Sequence, residues 1–430
     1  MSVPRNLNLN VRRTKRSATL AINERSAELQ KQGKKIYRLG LGQSPFPVPD
    51  FVVKALNMNA HQKDYLPVAG LLELRQAVAE FHNRRDGVNA DAGDVMIGPG
   101  SKELLFLAQL CFSGELIVPA PSWVSYGPQA SLLGLPTNWV PTTIESGWRL
   151  QAEDLRKACQ VDPTRPRLMI LNYPNNPAGT SLSPQQLKEI AEVCREFRIL
   201  VLSDEIYGEV HHTGKHQSIV EYYPEGTVIS NGLSKWCGAG GWRLGTALFP
   251  KQLSWLRDAM CVVASETYTS VSAPIQWAAI AAYKGGEELQ TYLERSRKVL
   301  NMVGQTAHAK LSAAGLEVPK PDGGFYLFPN ASPLRDKLAS RGVTTSPELC
   351  ERMLTDTGVA VLPGSDFGRS ADELTFRLAT VNFDGGAALK AVDSHAGDAE
   401  SFVKQYCGEL WEALEKMSGW LSGSPKKACV

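Results

Sequence analysis

Between residues 94 and 250 the chain repeats one arrangement: a short apolar run, a turn rich in glycine, proline or asparagine, then a helical stretch. Asp94-Val95-Met96-Ile97, Glu115-Leu116-Ile117-Val118, Arg167-Leu168-Met169-Ile170-Leu171 and Ile199-Leu200-Val201-Leu202-Ser203 are such runs. Unbroken apolar runs of this kind suit strands buried on both faces. Strands alternating with helices imply a mostly parallel, doubly wound sheet, in which ligands meet the loops at the carboxyl ends of the strands. The expected fold class is therefore α/β. Pro321–Phe328, Val361–Gly368 and Leu374–Thr380 suggest a second, smaller α/β domain. A length of 430 residues allows about two or three domains.

The loops after these runs carry the chemistry. Gly98-Pro99-Gly100-Ser101 leads into a helix beginning near Lys102, a layout that lets an anion approach backbone N–H groups at a helix start. The Gly-x-x-x-x-Gly-Lys-Ser/Thr spacing of a P-loop is missing, and Ser101 also reads as a helix cap. Trp123 leaves the next strand, where it serves either as core or as a flat surface for a ring. Asn176 lies in Asn172-Tyr173-Pro174-Asn175-Asn176-Pro177, which reads equally as a turn. Ser183-Pro184-Gln185-Gln186 has the pattern of a capped helix start. Asp204 ends an apolar strand, where a carboxylate needs a partner, and Tyr207 follows three residues on.

Ser234-Lys235 and Arg243 stand eight residues apart around a glycine-rich turn. An amine is a nucleophile only when unprotonated, so Lys235 needs its surroundings to make it reactive; otherwise it is a surface lysine beside a turn. Arg243 offers a planar fork suited to phosphate. Arg377, inside Leu374-Thr375-Phe376-Arg377-Leu378, needs an anion or a structural ion pair.

Composition excludes several classes. The chain is 43% apolar and 21% charged with a net charge of +2, which favours neither a nucleic-acid nor a membrane surface. No apolar run approaches the ~18 residues of a bilayer span. The eight cysteines show no CxxC spacing, so free thiols in a reducing, cytoplasmic setting and no metal site are expected. His211, His212 and His216 read as solvated loop residues. The first 23 residues hold Arg5, Arg12, Arg13, Lys15 and Arg16 but no acid, as in a transit peptide or an ordered arm. A helix ending at Gly33 and then a short strand follow, and the last helix is expected over about 399–421, with a flexible tail from Ser422.

Taken in order, these segments resemble the class I aminotransferases, and within them the bacterial aspartate and prephenate aminotransferases. The resemblance covers roughly residues 15 to 385. It rests on Gly42, Tyr65-Leu66-Pro67-Val68-Ala69-Gly70, Gly100-Ser101-Lys102, Pro121-Ser122-Trp123-Val124-Ser125-Tyr126, Asn176-Pro177-Ala178-Gly179, Asp204-Glu205-Ile206-Tyr207, Ser234-Lys235, Gly241-Trp242-Arg243-Leu244-Gly245 and Arg377. It implies fold type I, with an arm and part of the small domain over 1–45, a large cofactor-binding domain over 46–300 and the rest of the small domain over 301–430.

The implied cofactor is pyridoxal 5′-phosphate (PLP), with an amino acid and a 2-oxo acid as substrates and a homodimer as the working unit. Lys235 would carry the cofactor aldehyde. Gly100, Ser101, Lys102, Ser234 and Arg243 would bind at its phosphate, joined across the dimer by Tyr65. Trp123 would stack on the ring, Asp204 would pair with its nitrogen, and Asn176 and Tyr207 would meet its phenolic oxygen. Gly42, Lys102, Trp123, Asn176 and Arg377 would contact substrate, with Arg377 on the α-carboxylate. In the resembled subgroup a lysine at the place of Lys102 reaches a side-chain carboxylate, which points to aspartate or glutamate; its other reading is a solvated lysine at a helix start. Two departures are Gln43-Ser44, where relatives have Glu-Pro, and Gly232, where many have a hydroxyl residue. A PLP lyase, decarboxylase or oxidase, a transaminase for aromatic or other amino acids, and a non-catalytic PLP sensor are the alternative readings.

Overall fold

The computed structural model describes residues 6–12 and 18–423. In chain order its strands are β1 (Tyr37–Arg38), β2 (Val95–Gly98), β3 (Glu115–Ala120), β4 (Thr137–Pro141), β5 (Arg167–Asn172), β6 (Leu200–Asp204), β7 (Thr227–Gly232), β8 (Gly245–Leu248), β9 (Tyr326–Leu327), β10 (Val359–Ala360), β11 (Leu362–Pro363) and β12 (Phe376–Ala379).

Seven of them form one sheet in the order β2-β8-β7-β6-β5-β3-β4. The pairs from β4 through β7 are parallel, whereas β8 runs antiparallel to both of its neighbours. Successive residues of the central strands enter different cores, as the two-residue period of a strand requires. Leu116, Leu168, Ile170, Leu200 and Leu202 pack with the helices Ser101–Cys111 and Ser254–Ser265. Ile117, Met169, Leu171 and Val201 pack with Ala152–Gln160 and Pro184–Glu196. Each fully buried Leu or Ile contributes about 1.5–3 kcal/mol, so the two covered faces hold the strand ends in register.

A three-stranded antiparallel sheet, β11-β12-β9, is built from the later part of the chain, and β1 forms a parallel pair with β10. Tyr37 pairs with Val359 in the second of these, so the segment after the first long helix, Ala18–Lys31, joins strands more than 300 residues on. The helix Glu287–Ala313 is continuous through residue 300. Arg149 bridges to Asp322 at 2.8 Å, and the Trp148 Nε1–H donates to the Phe328 carbonyl at 3.0 Å, tying the later strands to the large sheet.

Several local expectations change. Ser183 caps its helix with a reciprocal Gln186 contact, as the sequence suggests. Ser101 does not cap: it is the first residue of its helix, Gly100 is the N-cap, and no side chain takes the capping role. The final helix is two, Ala399–Tyr406 and Gly408–Ser422, separated at Cys407, whose backbone leaves helical geometry. Arg5, Arg13, Lys15, Arg16, Cys429 and the tail beyond residue 423 lie outside the described residues. Among the described residues no helix is long and apolar enough to cross a membrane, and no three His, Cys, Asp or Glu residues are grouped to hold a metal.

Candidate active site

The carboxyl ends of β2, β5, β6 and β7 open on a cavity of about 590 Å3 lined by Gly42, Ser101, Lys102, Trp123, Asn176, Asp204, Tyr207, Ser234, Lys235 and Arg243, among others. Arg243 precedes a strand instead of following one. It arrives at the same end because β8 is reversed: Gly245, the first residue of β8, pairs with Gly98 and Gly232, the last residues of β2 and β7. Arg243 itself adopts a left-handed φ of 54°. Its Nη1 donates to the Gly240 carbonyl at 2.9 Å and its Nη2 to the Pro99 carbonyl at 3.2 Å, which aims the guanidinium at the turn before the helix Ser101–Cys111.

That turn needs glycine twice over. Gly100 has a φ of 91°, and a Cβ there would collide with the Arg243 guanidinium. Gly232 is held for a different reason: a Cβ would come within 2.7 Å of the Leu244 carbonyl oxygen in the neighbouring strand. A hydroxyl side chain at 232 would therefore require the neighbouring strand to shift.

Lys235 follows β7, and its Nζ donates to the Gly42 carbonyl at 2.7 Å while lying 5.6 Å from the centre of the Tyr207 ring. Lys102 Nζ is 5.0 Å from the centre of the Trp123 ring. Partial burial, and then the neighbouring charges of Arg243 and Lys235, lower the pKa of Lys102. Three cations thus converge on one cavity.

Asp204 is the carboxylate on the same wall. Its pKa is raised to about 6, because desolvation outweighs the lowering by the Tyr126 hydroxyl, the Ile206 backbone N–H and the charge of Lys235. Its Oδ1 is buried without a well-aligned hydrogen-bond partner among the described residues. The Asn176 Nδ2–H donates to the Tyr207 hydroxyl at 3.4 Å, and its Oδ1 accepts from Arg377 Nη1 at 3.0 Å. Arg377 is buried; its other terminal nitrogen donates to the Gly40 carbonyl at 2.5 Å, and its Nε has no hydrogen-bond partner among the described residues. Both of those hydrogen bonds end on neutral oxygens, and burial lowers its pKa.

Tyr65 is 90% exposed and does not line the cavity of its own chain. Two of the three histidines differ from expectation: the His216 side chain is 3% exposed with its Nε2 2.9 Å from Glu205 Oε2, and His212 Nε2 lies 3.1 Å from the Gly324 carbonyl oxygen, so neither is a solvated loop residue. Glu205, next to Asp204, also pairs with Arg85 and accepts from Ser203 at 2.9 Å, which keeps a second buried charge compensated behind the site.

Sequence reasoning missed Tyr126, Asn172 and Tyr326. Tyr126 lies three residues beyond Trp123 and hydrogen-bonds Asp204. Asn172 ends β5, accepts from the Asn176 backbone at 2.7 Å and donates to the Asp204 carbonyl at 2.7 Å. Its signal was its place at a strand's carboxyl end. The Tyr326 hydroxyl is 3.1 Å from that of Tyr207, and the Arg377 guanidinium stands 4.7 Å from its ring centre. No local pattern in the sequence marks Tyr326.

A lysine, an arginine and a buried aspartate gathered at the strand ends of this sheet define a fold type I transferase, and comparison with known structures agrees. Aspartate aminotransferase from Thermus thermophilus, solved with maleate, superposes with a TM-score of 0.83 at 30% identity, covering 96% of this chain and 99% of that one. Aspartate aminotransferase from Geobacillus stearothermophilus is 36% identical over 376 residues, 85% of this chain and 92% of the relative. The aspartate/prephenate aminotransferase of Thermus thermophilus is 33% identical over 84% of this chain and 92% of its own length. Residues 34–383 match the family model for aminotransferase class I and II. The chain belongs to that family and is an aminotransferase; the family uses PLP.

Proposed function

We propose that this chain binds PLP in the strand-end cavity and moves the amino group of a dicarboxylic amino acid, aspartate or glutamate, to a 2-oxo acid. The single observation that carries the substrate class is Lys102. Its ammonium, on a residue exposed in the free chain, faces an aromatic ring and stands near two other cations, so an anionic side chain entering the cavity would relieve a charge that the protein leaves poorly compensated.

The cavity fits the cofactor on three observations. The buried Asp204 Oδ1, without a well-aligned partner among the described residues, can accept from a protonated ring nitrogen. The uncapped helix start at Ser101, with Arg243 beside it, suits a phosphate. The pairing of Asn176 with Tyr207 leaves both able to reach a phenolic oxygen.

On this reading Ser101, the backbone at Gly100 and Lys102, Ser234 and Arg243 hold the phosphate, Trp123 supports the ring, and Lys235 carries the aldehyde. Tyr65, exposed on its own chain, belongs to the cavity of a second copy in a homodimer. When bound, the cofactor supplies a carbonyl carbon to receive nitrogen and a ring that withdraws electrons from substrate. Arg377 receives the α-carboxylate through its planar fork. Gly42, whose carbonyl holds Lys235 Nζ in place, borders the substrate side. With its amine unprotonated, Lys235 would be the group placed to take the proton from the substrate α-carbon.

The deciding experiment is a panel of amino donors with 2-oxoglutarate, run on the wild type and on Lys102→Ala. The substitution is expected to raise KM for aspartate by roughly 10-fold or more, the scale of one hydrogen bond to a charged group, and to leave alanine as donor almost unchanged. A uniform loss across donors would assign Lys102 to the cofactor and remove the argument for a dicarboxylic substrate.

A further inference from the structure

Asp204 stands at the end of β6 with its two oxygens in different circumstances. Oδ2 accepts from the Tyr126 hydroxyl at 2.5 Å, while Oδ1 is buried without a well-aligned partner among the described residues. Tyr126 is 78 residues away in the chain, opens the helix Tyr126–Leu133 and is only 1% exposed. Its ring is fixed by Trp123, edge to face, with centroids 5.3 Å apart and planes at 81°. The strand end is held from the backbone as well, since Asn172 Nδ2 donates to the Asp204 carbonyl at 2.7 Å. The titratable groups facing the carboxylate are Tyr126 from its helix, Lys235 from the loop after β7, and Glu205 and Tyr207 from the loop after β6 itself. Among them Tyr126 is the side chain that hydrogen-bonds it.

We propose that Tyr126 is a positioning residue for the aminotransferase reaction: it ties down Asp204 Oδ2 so that Oδ1 is left to accept from the protonated ring nitrogen of the bound cofactor. The inference rests on the reading of the cavity as a PLP site. A carboxylate stripped of water needs a donor that will not surrender its proton, and a buried phenol supplies one. Burial and the charge of Asp204 both raise the Tyr126 pKa well above its ordinary value, so the hydroxyl remains a donor throughout the working range. The rigid ring also fixes the direction of that bond, which a longer, more flexible side chain would leave variable.

The test uses Tyr126→Phe, Asp204→Ala and the double variant, each prepared with and without PLP. Cofactor affinity is measured by fluorescence titration, kcat and kcat/KM across pH by steady-state kinetics, and melting on the cofactor-free proteins. Tyr126→Phe is expected to weaken PLP binding roughly 10- to 100-fold, the span of one hydrogen bond to a charged group. It should lower kcat more than it changes KM. It should also move the acid limb of kcat/KM to higher pH, because losing the donor makes Asp204 easier to protonate. Added to Asp204→Ala, the same change should cost little more, since the tyrosine acts through that carboxylate. Wild-type affinity and pH profile in Tyr126→Phe would overturn the proposal while leaving the PLP site intact. An equal loss in both Asp204 backgrounds, with earlier melting, would also overturn it by showing a packing role. Wild-type PLP affinity in Asp204→Ala would remove the reading of the cavity itself, and the role of Tyr126 with it.

Discussion

Asp204→Asn is expected to stabilise the cofactor-free protein and to weaken the cofactor-bound one. In the folded chain the carboxyl is raised from an ordinary 3.8 to about 6, chiefly by desolvation. At 1.36 kcal/mol per tenfold change in proton affinity, that rise is worth about 3 kcal/mol. For a carboxyl raised on folding, the stabilisation is fully present below about pH 3.8 and is lost as pH rises through about 6. At pH 8 the wild type carries the whole cost of the buried charge, whereas at pH 5 it has regained about half of that cost by protonation. Asparagine, always neutral, does not titrate.

The gap in favour of Asp204→Asn should therefore shrink from about 3 kcal/mol at pH 8 to about half of that at pH 5. With 430 residues and an unfolding entropy of about 2.1 cal/mol/K per residue, this is a melting difference of about 3 °C falling to between 1 and 2 °C. Thermal melts of both cofactor-free proteins at matched concentration would measure it. Saturating PLP should reverse the order at pH 8, because only the carboxylate can pair with a protonated ring nitrogen. A gap that is the same at pH 5 and pH 8 would refute the assignment of a raised, desolvated carboxyl.

Two further outcomes test the remaining assignments. Borohydride reduction of the PLP-loaded protein followed by peptide mapping should place the label on Lys235, and Lys235→Ala should lower kcat by roughly 100-fold or more; a label on another lysine would end the reading at its centre. Mixed dimers of Tyr65→Phe with Lys235→Ala should contain one site lacking both residues and one intact site with wild-type PLP affinity. Impairment of every lysine-bearing site would show that Tyr65 acts within its own chain.

Four strands of the large sheet, β2, β3, β5 and β6, were legible in the sequence because each is an apolar run closed by a turn, and because a chain of this length can cover both faces of a sheet with its own helices. The capping of Pro184–Glu196 by Ser183 was legible for the same local reason: its partner is three residues away. The order of the motifs around Lys235 sufficed to suggest the family. Where local signals compete, sequence could not choose. Ser101 has the chemistry of a cap, yet the backbone turns at Gly100 to meet Arg243 and the helix begins one residue earlier than a serine cap would place it. Cys407 lies in a stretch with no proline to announce the break between the last two helices.

What the sequence by itself determined is those four strands, their turns and most of the residues delivered to the strand ends, since these depend on neighbours within a few positions. The tertiary structure alone decided which delivered residues meet. Arg243 reaches the Gly100 turn because β8 is reversed and pairs with both β2 and β7. Tyr126 finds Asp204 across 78 residues, and Arg377 finds Asn176 across 201. His216 is withdrawn from solvent by Glu205. Strand order and direction set these meetings, and hydrophobic pattern cannot encode them: a buried strand presents the same apolar run whichever way it points and whichever strand lies beside it.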